Sequence, residues 1–553
     1  MNSLSPALVT QRSVRRLPRL ALLLLCAAYV LPGVFGRDAW RNADLVAYAQ
    51  MLTMAQGETS WWAPTLGGLP VADVALLPHW LGAAFITLLS PAIDPVIAAR
   101  MPFVLLLCAT LALVWYATFH LARTDHAQPL PLAFGGEADP VDYARAIADG
   151  ALLATIATLG LLQLGHETTP ELMQLAAVSL FVYALAAAPY RRSQPRLAVV
   201  LALTALAGSG APSVALALGL AGALICHRSA FEQVRGFVVW VWAGVVLAAA
   251  LATAIEAWRW RGVAMDGLAW LSLLRQWLWF LWPTWPFVLW TLWRWRGHLF
   301  HRHISVPLTL VLVAMAANIV MAGSDRALLL AVPGAAVLCA FALPTFRRST
   351  SAAIDWFSLF FFTLWALTIW VIYAAVHTGV PAKPAANVAK LAPGFEASFE
   401  TAPFVLALLA TLAWVWLVRW RTGRHREALW KSLVLPAGGV ALCFLLLMTL
   451  GLPGLDYARS MRTWSERVAP ALAGHDCVWT PGASPVTLAA LAAAPQLGIQ
   501  VRADAPGACT VMLQVSRSGR PPAPPAGWQL VAEVRRPTDR DELTVIHRRD
   551  SAR

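Results

Sequence analysis

Charged residues are scarce in this sequence. Asp, Glu, Lys and Arg together make up 13% of its 553 residues, whereas 59% are hydrophobic. A chain with so little charge and a mean hydropathy of +0.62 is too apolar to be a set of soluble domains. A helix needs ~20 apolar residues to cross the ~30 Å hydrocarbon core of a bilayer. Many stretches here are that long, so the sequence predicts an all-α polytopic membrane protein.

Several catalytic signatures are also missing. The sequence has no phosphate-binding Walker loop, no dinucleotide fingerprint, no Cys-x-x-Cys pair and no Ser-His-Asp arrangement. Its scattered His and acidic residues do not form a specific metal signature. These patterns therefore give no indication of a nucleotide or dinucleotide site.

The net charge of +13 comes from short Arg clusters placed between apolar runs. This distribution is the positive-inside pattern of membrane proteins, and it argues against nucleic acid as a partner. Four arginines precede the first apolar run, 20–35, and no convincing cleavage site follows it. We therefore predict an uncleaved first span with the N-terminus in the cytoplasm.

About thirteen spans fit a strict alternation of orientation across the membrane. They are predicted at 20–35, 98–122, 147–164, 172–188, 197–207, 214–226, 237–256, 277–293, 304–322, 327–343, 356–376, 403–418 and 433–450. The spans at 197–207 and 214–226 are short and flank a Gly-Pro break, so both are predicted to reach only half depth. The transmembrane domain is thus 1–455, with a first periplasmic loop at 37–95 and a cytoplasmic insert at 123–146. A helix at 79–90 within that loop is predicted to lie on the membrane face.

The tail, 456–553, changes character and is predicted to form a small periplasmic α/β domain. Helices are expected at 457–473 and 485–494, and strands at 476–480, 509–515, 528–534 and 543–547, where β-branched residues are enriched. Cys477 and Cys509 would form a disulfide in an oxidising compartment. Two unpaired structural cysteines remain the alternative.

Ionisable residues close to a bilayer are costly, and they are therefore candidates for function. On the predicted outer face they are Asp38, Asp44, His79, Arg100, His166, Glu167, Glu171, Arg326, Lys383 and Lys390. A carboxylate can take a proton from an attacking group, and Arg or Lys can neutralise a phosphate. Structural alternatives also exist. Asp44 could cap a helix, Asp38 could pair with Arg37 or Arg41, and His166 with Glu167 could form a cap and turn.

A family resemblance favours the functional interpretation. The first periplasmic loop of GT-C glycosyltransferases resembles a series of residues here: Asp44-Leu45-Val46-Ala47-Tyr48-Ala49, then Gly57-Glu58, Trp61 or Trp62, Pro64, Leu66 and Gly68, then Leu69-Pro70. Within that class it looks like the bacterial aminoarabinose transferase and protein O-mannosyltransferase group. Those proteins carry Asp-Glu-x-x-Tyr-Ala, then Gly-Asp-Trp and Pro. The stretch from Arg326 to Pro333 resembles the Arg-x-x-x-Leu-Pro opening of a late span in the same group.

The resemblance implies a glycosyltransferase of the inner membrane that uses a polyprenyl-phosphate-linked sugar as donor. Asp44 would be the catalytic carboxylate, activating a glycan, lipid A or protein acceptor for attack on the sugar C1 with inversion. Membrane lipid would be a further partner, and a divalent metal requirement stays open. The candidate substrate-binding residues are Tyr48 of this motif and seven of the outer-face residues: His79, Arg100, His166, Glu167, Glu171, Arg326 and Lys383.

Two departures from the family pattern matter. Leu45 replaces the second acid of the motif, a role that Asp38 could fill. The family's Glu-Lys-Pro phosphate motif is here Asp73-Val74-Ala75, without lysine, so phosphate binding would fall to Arg326, Arg100 or Lys383. A transporter or flippase is the rival interpretation, although the chain shows no repeated halves. A degenerate GT-C protein that binds lipid-linked sugar without transferring it is a third.

Overall fold

The fold is described from a computed structural model, which covers residues 5–71, 75–133, 135–258, 269–423, 428–517, 524–539 and 541–549. The stretch Asp73-Val74, which replaces the family's phosphate motif, lies outside the described residues. Residues 259–268 and 424–427, which lie between predicted spans, are also outside the described residues.

The described chain is mostly helical. Its α-helices are α1 (Arg19–Val30), α2 (Ala43–Ala55), α3 (Leu76–Leu89), α4 (Pro95–Ala122), α5 (Pro140–Ala157), α6 (Leu159–Leu164), α7 (Pro170–Ala187), α8 (Gln194–Gly208), α9 (Pro212–His227), α10 (Glu232–Ala254), α11 (Ala269–Phe280), α12 (Thr284–Arg294), α13 (Arg302–Val320), α14 (Asp325–Leu329), α15 (Val332–Ala342), α16 (Arg348–Thr378), α17 (Ala382–Leu391), α18 (Thr401–Thr422), α19 (Val434–Leu447), α20 (Leu452–Arg459), α21 (Arg462–Leu472) and α22 (Pro485–Ala492). The strands are β1 (Thr65–Leu66), β2 (Leu69–Pro70), β3 (Cys477–Trp479), β4 (Gln500–Arg502), β5 (Val511–Ser516), β6 (Trp528–Arg535) and β7 (Leu543–Arg549).

Seven helical segments of the described chain are long and apolar enough to cross a membrane. They are α4, α7, α10, α13, α16, α18 and the segment Leu429–Leu447, which includes α19. The other predicted spans coincide with shorter or interrupted helices. The span predicted at 277–293 is wrong as a single helix, because a turn that contains Pro283 separates α11 from α12. The prediction of a polytopic helical protein with a small C-terminal sheet is confirmed, while thirteen spans stay a prediction.

The residues form two compact units, and the first comprises 1–32, 103–367 and 405–446. Its centre is α15, where every residue from Val332 to Ala342 is buried. α5 packs against α15, and the contact is close because Gly150 has no side chain. A Cβ atom there would lie 2.4 Å from a methyl carbon of Leu343.

The second unit comprises 33–102, 368–404 and 447–553, so it contains the loop after α1 together with the tail. Within it, α2 packs on α3 and α22. A glycine again permits close approach, since a Cβ on Gly82 of α3 would lie 2.2 Å from Sδ of Met51. β1 and β2 form a hairpin around Gly67 and Gly68, whose positive φ angles suit a tight two-residue turn.

The tail contains a five-stranded sheet of order β4-β3-β5-β7-β6. β3 is parallel to β4 and β5, whereas β7 is antiparallel to β5 and β6. Four strands lie where the sequence predicts them. β4 was not predicted because three residues carry too little alternation to be recognised. Cys477 and Cys509 form the disulfide, with their Cα atoms 5.2 Å apart.

Candidate active site

α2 presents the predicted catalytic residue in its first turn. Asn42 precedes the helix with a φ of +81°, a conformation that a residue with a Cβ seldom adopts. The helix begins at Ala43, so Asp44 is its second residue and not its cap. A carboxylate in the first helical turn is stabilised by the unpaired backbone N–H groups there.

Asp44 forms an ion pair with Arg37. Nη1 of Arg37 lies 3.0 Å from Oδ2 of Asp44, and the two side chains are 3% and 1% exposed. The same oxygen accepts a hydrogen bond from the backbone N–H of Trp40 at 3.1 Å, and Nε of Arg37 donates to the carbonyl of Gly33 at 2.6 Å. Oδ2 of Asp44 is therefore held by one guanidinium and one backbone donor.

Arg100, near the start of α4, holds the backbone of the same loop. Its Nη1 donates to the carbonyls of Val34 and Arg37 at 3.0 and 2.9 Å, and its Nη2 donates to the carbonyl of Asp38 at 2.7 Å. The side chain is buried. Three carbonyl bonds use most of its donors, so this arginine positions the loop that carries the Asp44 pair.

The tail supplies partners for the same loop. Arg462 donates two hydrogen bonds to the carboxylate of Asp38. The structural alternative predicted from the sequence was a pair with Arg37 or Arg41 instead. Oδ1 of Asp456 accepts from the backbone N–H of Asp38 at 2.9 Å and from Nε1 of Trp40 at 3.0 Å. Burial, with Asp38 close by, raises the pKa of Asp456.

The indole ring of Trp40 contacts two guanidinium groups. The Cζ atoms of Arg37 and Arg459 are 4.7 and 5.0 Å from its ring centroid, within the range of cation–π attraction. The indole is buried. It therefore links the ion-paired arginine of the loop to α20 in the tail.

Two further predicted substrate-binding residues lie on α2 and α3. Burial, together with nearby Asp94 and Asp38, raises the pKa of Tyr48, so its phenol keeps its proton. Burial lowers the pKa of His79 to about 4, which leaves the imidazole neutral near pH 7. Within the described chain, Nε2 of His79 is a buried atom with no hydrogen-bond partner. A bound substrate could supply one.

The first unit brings together another predicted set. Nη2 of Arg326 lies 2.6 Å from Glu167, while its Nη1 lies 3.1 Å from Glu171 and 3.0 Å from Oγ1 of Thr169. Burial by itself would lower the pKa of Arg326, but the carboxylates of Glu171 and Glu167 outweigh it and raise the pKa. Its guanidinium is already engaged by two acids, so a phosphate would have to compete with both of them. A cavity of about 300 Å³ borders Arg326 and Glu171.

His166 and Lys383 lie in different surroundings. The ring nitrogens of His166 contact the carbonyls of Leu162 and Tyr29 at 2.7 and 2.8 Å, so the residue holds the end of α6. Lys383 is exposed on α17. In the described part of the chain no hydrogen bond or ion pair involves its ammonium group.

α17 also borders a cavity of about 360 Å³ within the second unit. Val388 and Leu391 of α17 line it, together with Tyr373 at the end of α16 and Phe404 in α18. The walls are largely apolar. Across the described ranges, no group of three or more His, Cys, Asp or Glu side chains is placed to hold a metal ion.

Sequence reasoning missed the residues that support Asp44. The sequence predicts Arg37 only as a possible partner of Asp38, and no pattern predicts a role for Asp456, Arg459 or Arg462 of the tail. Asp456 and Trp40, for example, are 416 positions apart in the sequence. No local pattern reports such a contact. The only available signal was the group of charged residues that directly follows the last predicted span.

Comparison with known proteins gives a result at the level of fold. No family model matches the chain, and no curated protein matches it. Two crystal structures are similar, both of ArnT from Cupriavidus metallidurans. The one bound to undecaprenyl phosphate gives a TM-score of 0.58 at 14% identity, covering 96% of each chain. The apo structure gives a TM-score of 0.57 at the same identity and coverage. The predicted resemblance to the aminoarabinose transferase group is confirmed at the level of fold: this chain has an ArnT-like fold.

Proposed function

We propose that the protein is a glycosyltransferase that moves a sugar from a polyprenyl-phosphate carrier to an acceptor on the periplasmic side of the inner membrane. The observation that carries the proposal is the buried Asp44 carboxylate, ion-paired to Arg37 at 3.0 Å, in a chain with the fold of ArnT. A similar structure contains undecaprenyl phosphate, which supports a lipid-linked donor. The acceptor would be lipid A, a glycan or a protein.

Asp44 is proposed to orient and deprotonate the acceptor as it attacks C1 of the donor sugar. The bond to the carrier phosphate breaks in the same displacement, so the configuration at C1 inverts and polyprenyl phosphate leaves. Arg37 holds the carboxylate in place before the acceptor arrives. Nε2 of His79 is proposed to contact substrate, because it is buried without a partner among the described residues.

The leaving phosphate needs positive charge. Of the three candidates, Arg100 is engaged by carbonyls and Arg326 by two glutamates. We therefore assign the phosphate contact to Lys383. The same helix borders the largely apolar cavity of about 360 Å³, which would suit part of an isoprenoid chain.

The test replaces Asp44 by Asn and measures transfer from a radiolabelled polyprenyl-phosphate sugar in membranes. We expect turnover to fall by at least about 100-fold, in the range of lost acid–base catalysis. Asp541→Asn is the matched control, since that exposed tail aspartate lies outside the site. A folded Asp44→Asn protein with wild-type turnover would refute the assignment. A flippase would be favoured by a different result: the wild-type protein transfers no sugar, and a deletion strain loses export of the lipid-linked substrate.

A further inference from the structure

A second and larger cavity lies in the first unit, among α1, α4 and α5. Its volume is about 800 Å³. The proposed transfer reaction makes no use of it, and none of the candidate catalytic or substrate-binding residues lines it. Its volume lies within the range of ~300–1,000 Å³ that is typical of small-molecule sites.

One end of this cavity is basic. Arg16 and Arg19 reach it from the segment at the start of α1, and Arg145 reaches it from α5. Arg16 and Arg145 lie 3.2 and 3.4 Å from the same carboxylate, Asp142, so their guanidinium groups are neighbours. Asp149 also lines the cavity and accepts a hydrogen bond from Nε1 of Trp115 at 2.8 Å. Three arginines against two aspartates leave this end positively charged.

The remainder of the cavity is apolar. Leu22, Leu23, Ala27 and Val30 line it along α1, facing residues such as Leu111 of α4. From Arg19 to Val30 the helix rises by ~17 Å at ~1.5 Å per residue. One leaflet of a bilayer contributes about half of the ~30 Å hydrocarbon core. The apolar part therefore has about the depth that one leaflet's acyl chain needs.

We propose that this cavity binds one anionic phospholipid. The arginine end takes the phosphate, and an acyl chain lies along α1. Basic pockets between membrane helices favour anionic over zwitterionic headgroups, and the arginines that precede α1 add to that preference. Because no transfer chemistry is involved, the site is independent of the proposed glycosyltransferase activity.

Native mass spectrometry of the full-length protein in detergent tests the proposal, with phosphatidylglycerol and phosphatidylethanolamine added to delipidated samples. The wild type should retain one phosphatidylglycerol at a concentration about tenfold lower than phosphatidylethanolamine requires. The double variant Arg16→Ala/Arg19→Ala should lose this preference. Arg347→Ala/Arg348→Ala, which alters an exposed arginine pair outside the cavity, should keep it.

A second pair of variants tests the apolar part. Ala27→Phe places a ring in the cavity and should reduce lipid retention with all arginines intact. Ala28→Phe, one residue further along α1 and not part of the lining, should not. Equal retention of the two phospholipids, or full retention in Arg16→Ala/Arg19→Ala, would overturn the proposal. Displacement of phosphatidylglycerol by an equimolar amount of undecaprenyl phosphate would also overturn it and assign the cavity to the carrier.

Discussion

Arg37 and Asp44 form a buried ion pair seven residues apart, with Nη1 and Oδ2 separated by 3.0 Å. Water cannot stabilise either charge at this position. Removing one partner would leave the other buried without compensation, which typically costs ~3–5 kcal/mol. The pair is thus a structural requirement as well as a proposed catalytic one.

A double-mutant cycle separates those two roles. We expect Arg37→Met and Asp44→Leu each to lower the free energy of unfolding by about 3–5 kcal/mol. The double variant should recover much of that loss because no lone charge remains, yet it should stay inactive. Denaturation midpoints in detergent and transfer assays are the measurements. If the losses of unfolding free energy in the two single variants simply add in the double variant, Arg37 and Asp44 are not coupled.

The exposed pair of Asp38 and Arg462 is a matched comparison. Its side chains are 31% and 57% exposed, and solvent-exposed ion pairs contribute only ~0–1 kcal/mol. Arg462→Ala should therefore change stability much less than Arg37→Met. A loss as large as that of the buried pair would show that the bidentate contact holds the loop more strongly than its exposure implies.

Lys383→Ala tests the proposed phosphate contact. We expect KM for the lipid-linked donor to rise about 10- to 100-fold, since a charge-assisted hydrogen bond contributes ~1.5–3 kcal/mol. Lys390→Ala is the control, because Lys390 lies seven residues further along the same helix and is also exposed. Steady-state kinetics with varied donor measure the effect. A rise in KM with Lys390→Ala alone would move the contact to that residue.

Arg326 should behave differently from Lys383. Arg326→Lys keeps the charge but cannot contact Glu167, Glu171 and Thr169 together, so we expect a lower unfolding temperature and an unchanged donor KM. Adding Glu171→Gln should restore part of the stability, because one acid no longer needs a partner. Thermal unfolding and donor kinetics on the same preparations measure both effects. A KM that rises as strongly as in Lys383→Ala would assign Arg326 to the phosphate.

Acid should weaken the contact between Arg41 and the tail. A hydrogen bond from Arg41 lowers the pKa of Asp539 below its ordinary value of 3.8. The folded state therefore binds fewer protons there than the unfolded state, so the contribution of Asp539 to stability is present above pH 3.8 and is lost as the pH falls through the lowered pKa. The difference in unfolding temperature between wild type and Asp539→Asn should be largest near pH 7 and should shrink in acid. If this difference in unfolding temperature stays the same at every pH, protonation of Asp539 is not linked to stability.

The sequence predicted those parts of the fold that depend on local pattern. α4 lies close to its predicted bounds of 98–122, because hydrophobicity over ~20 residues is a local property. α16 contains its predicted span of 356–376 but begins eight residues earlier, at Arg348. The interruption between α11 and α12 was missed, although Pro283 in an apolar run was an available signal. Asp44 was singled out by its motif. Its partner Arg37 and the tail residues that support it depend on tertiary contacts that no local pattern reveals.

The contacts of Asp456 with Asp38 and Trp40 have a consequence for how the protein is made. The loop after α1 leaves the ribosome more than 400 residues before the acid that holds it. At translation rates of ~5–20 residues per second, that delay is about 20–80 s. During this time the loop lacks its tail partners. A ribosome that stops before Asp456 would therefore release a chain with its membrane helices but with an unsupported loop, so completion of synthesis itself becomes a condition for activity.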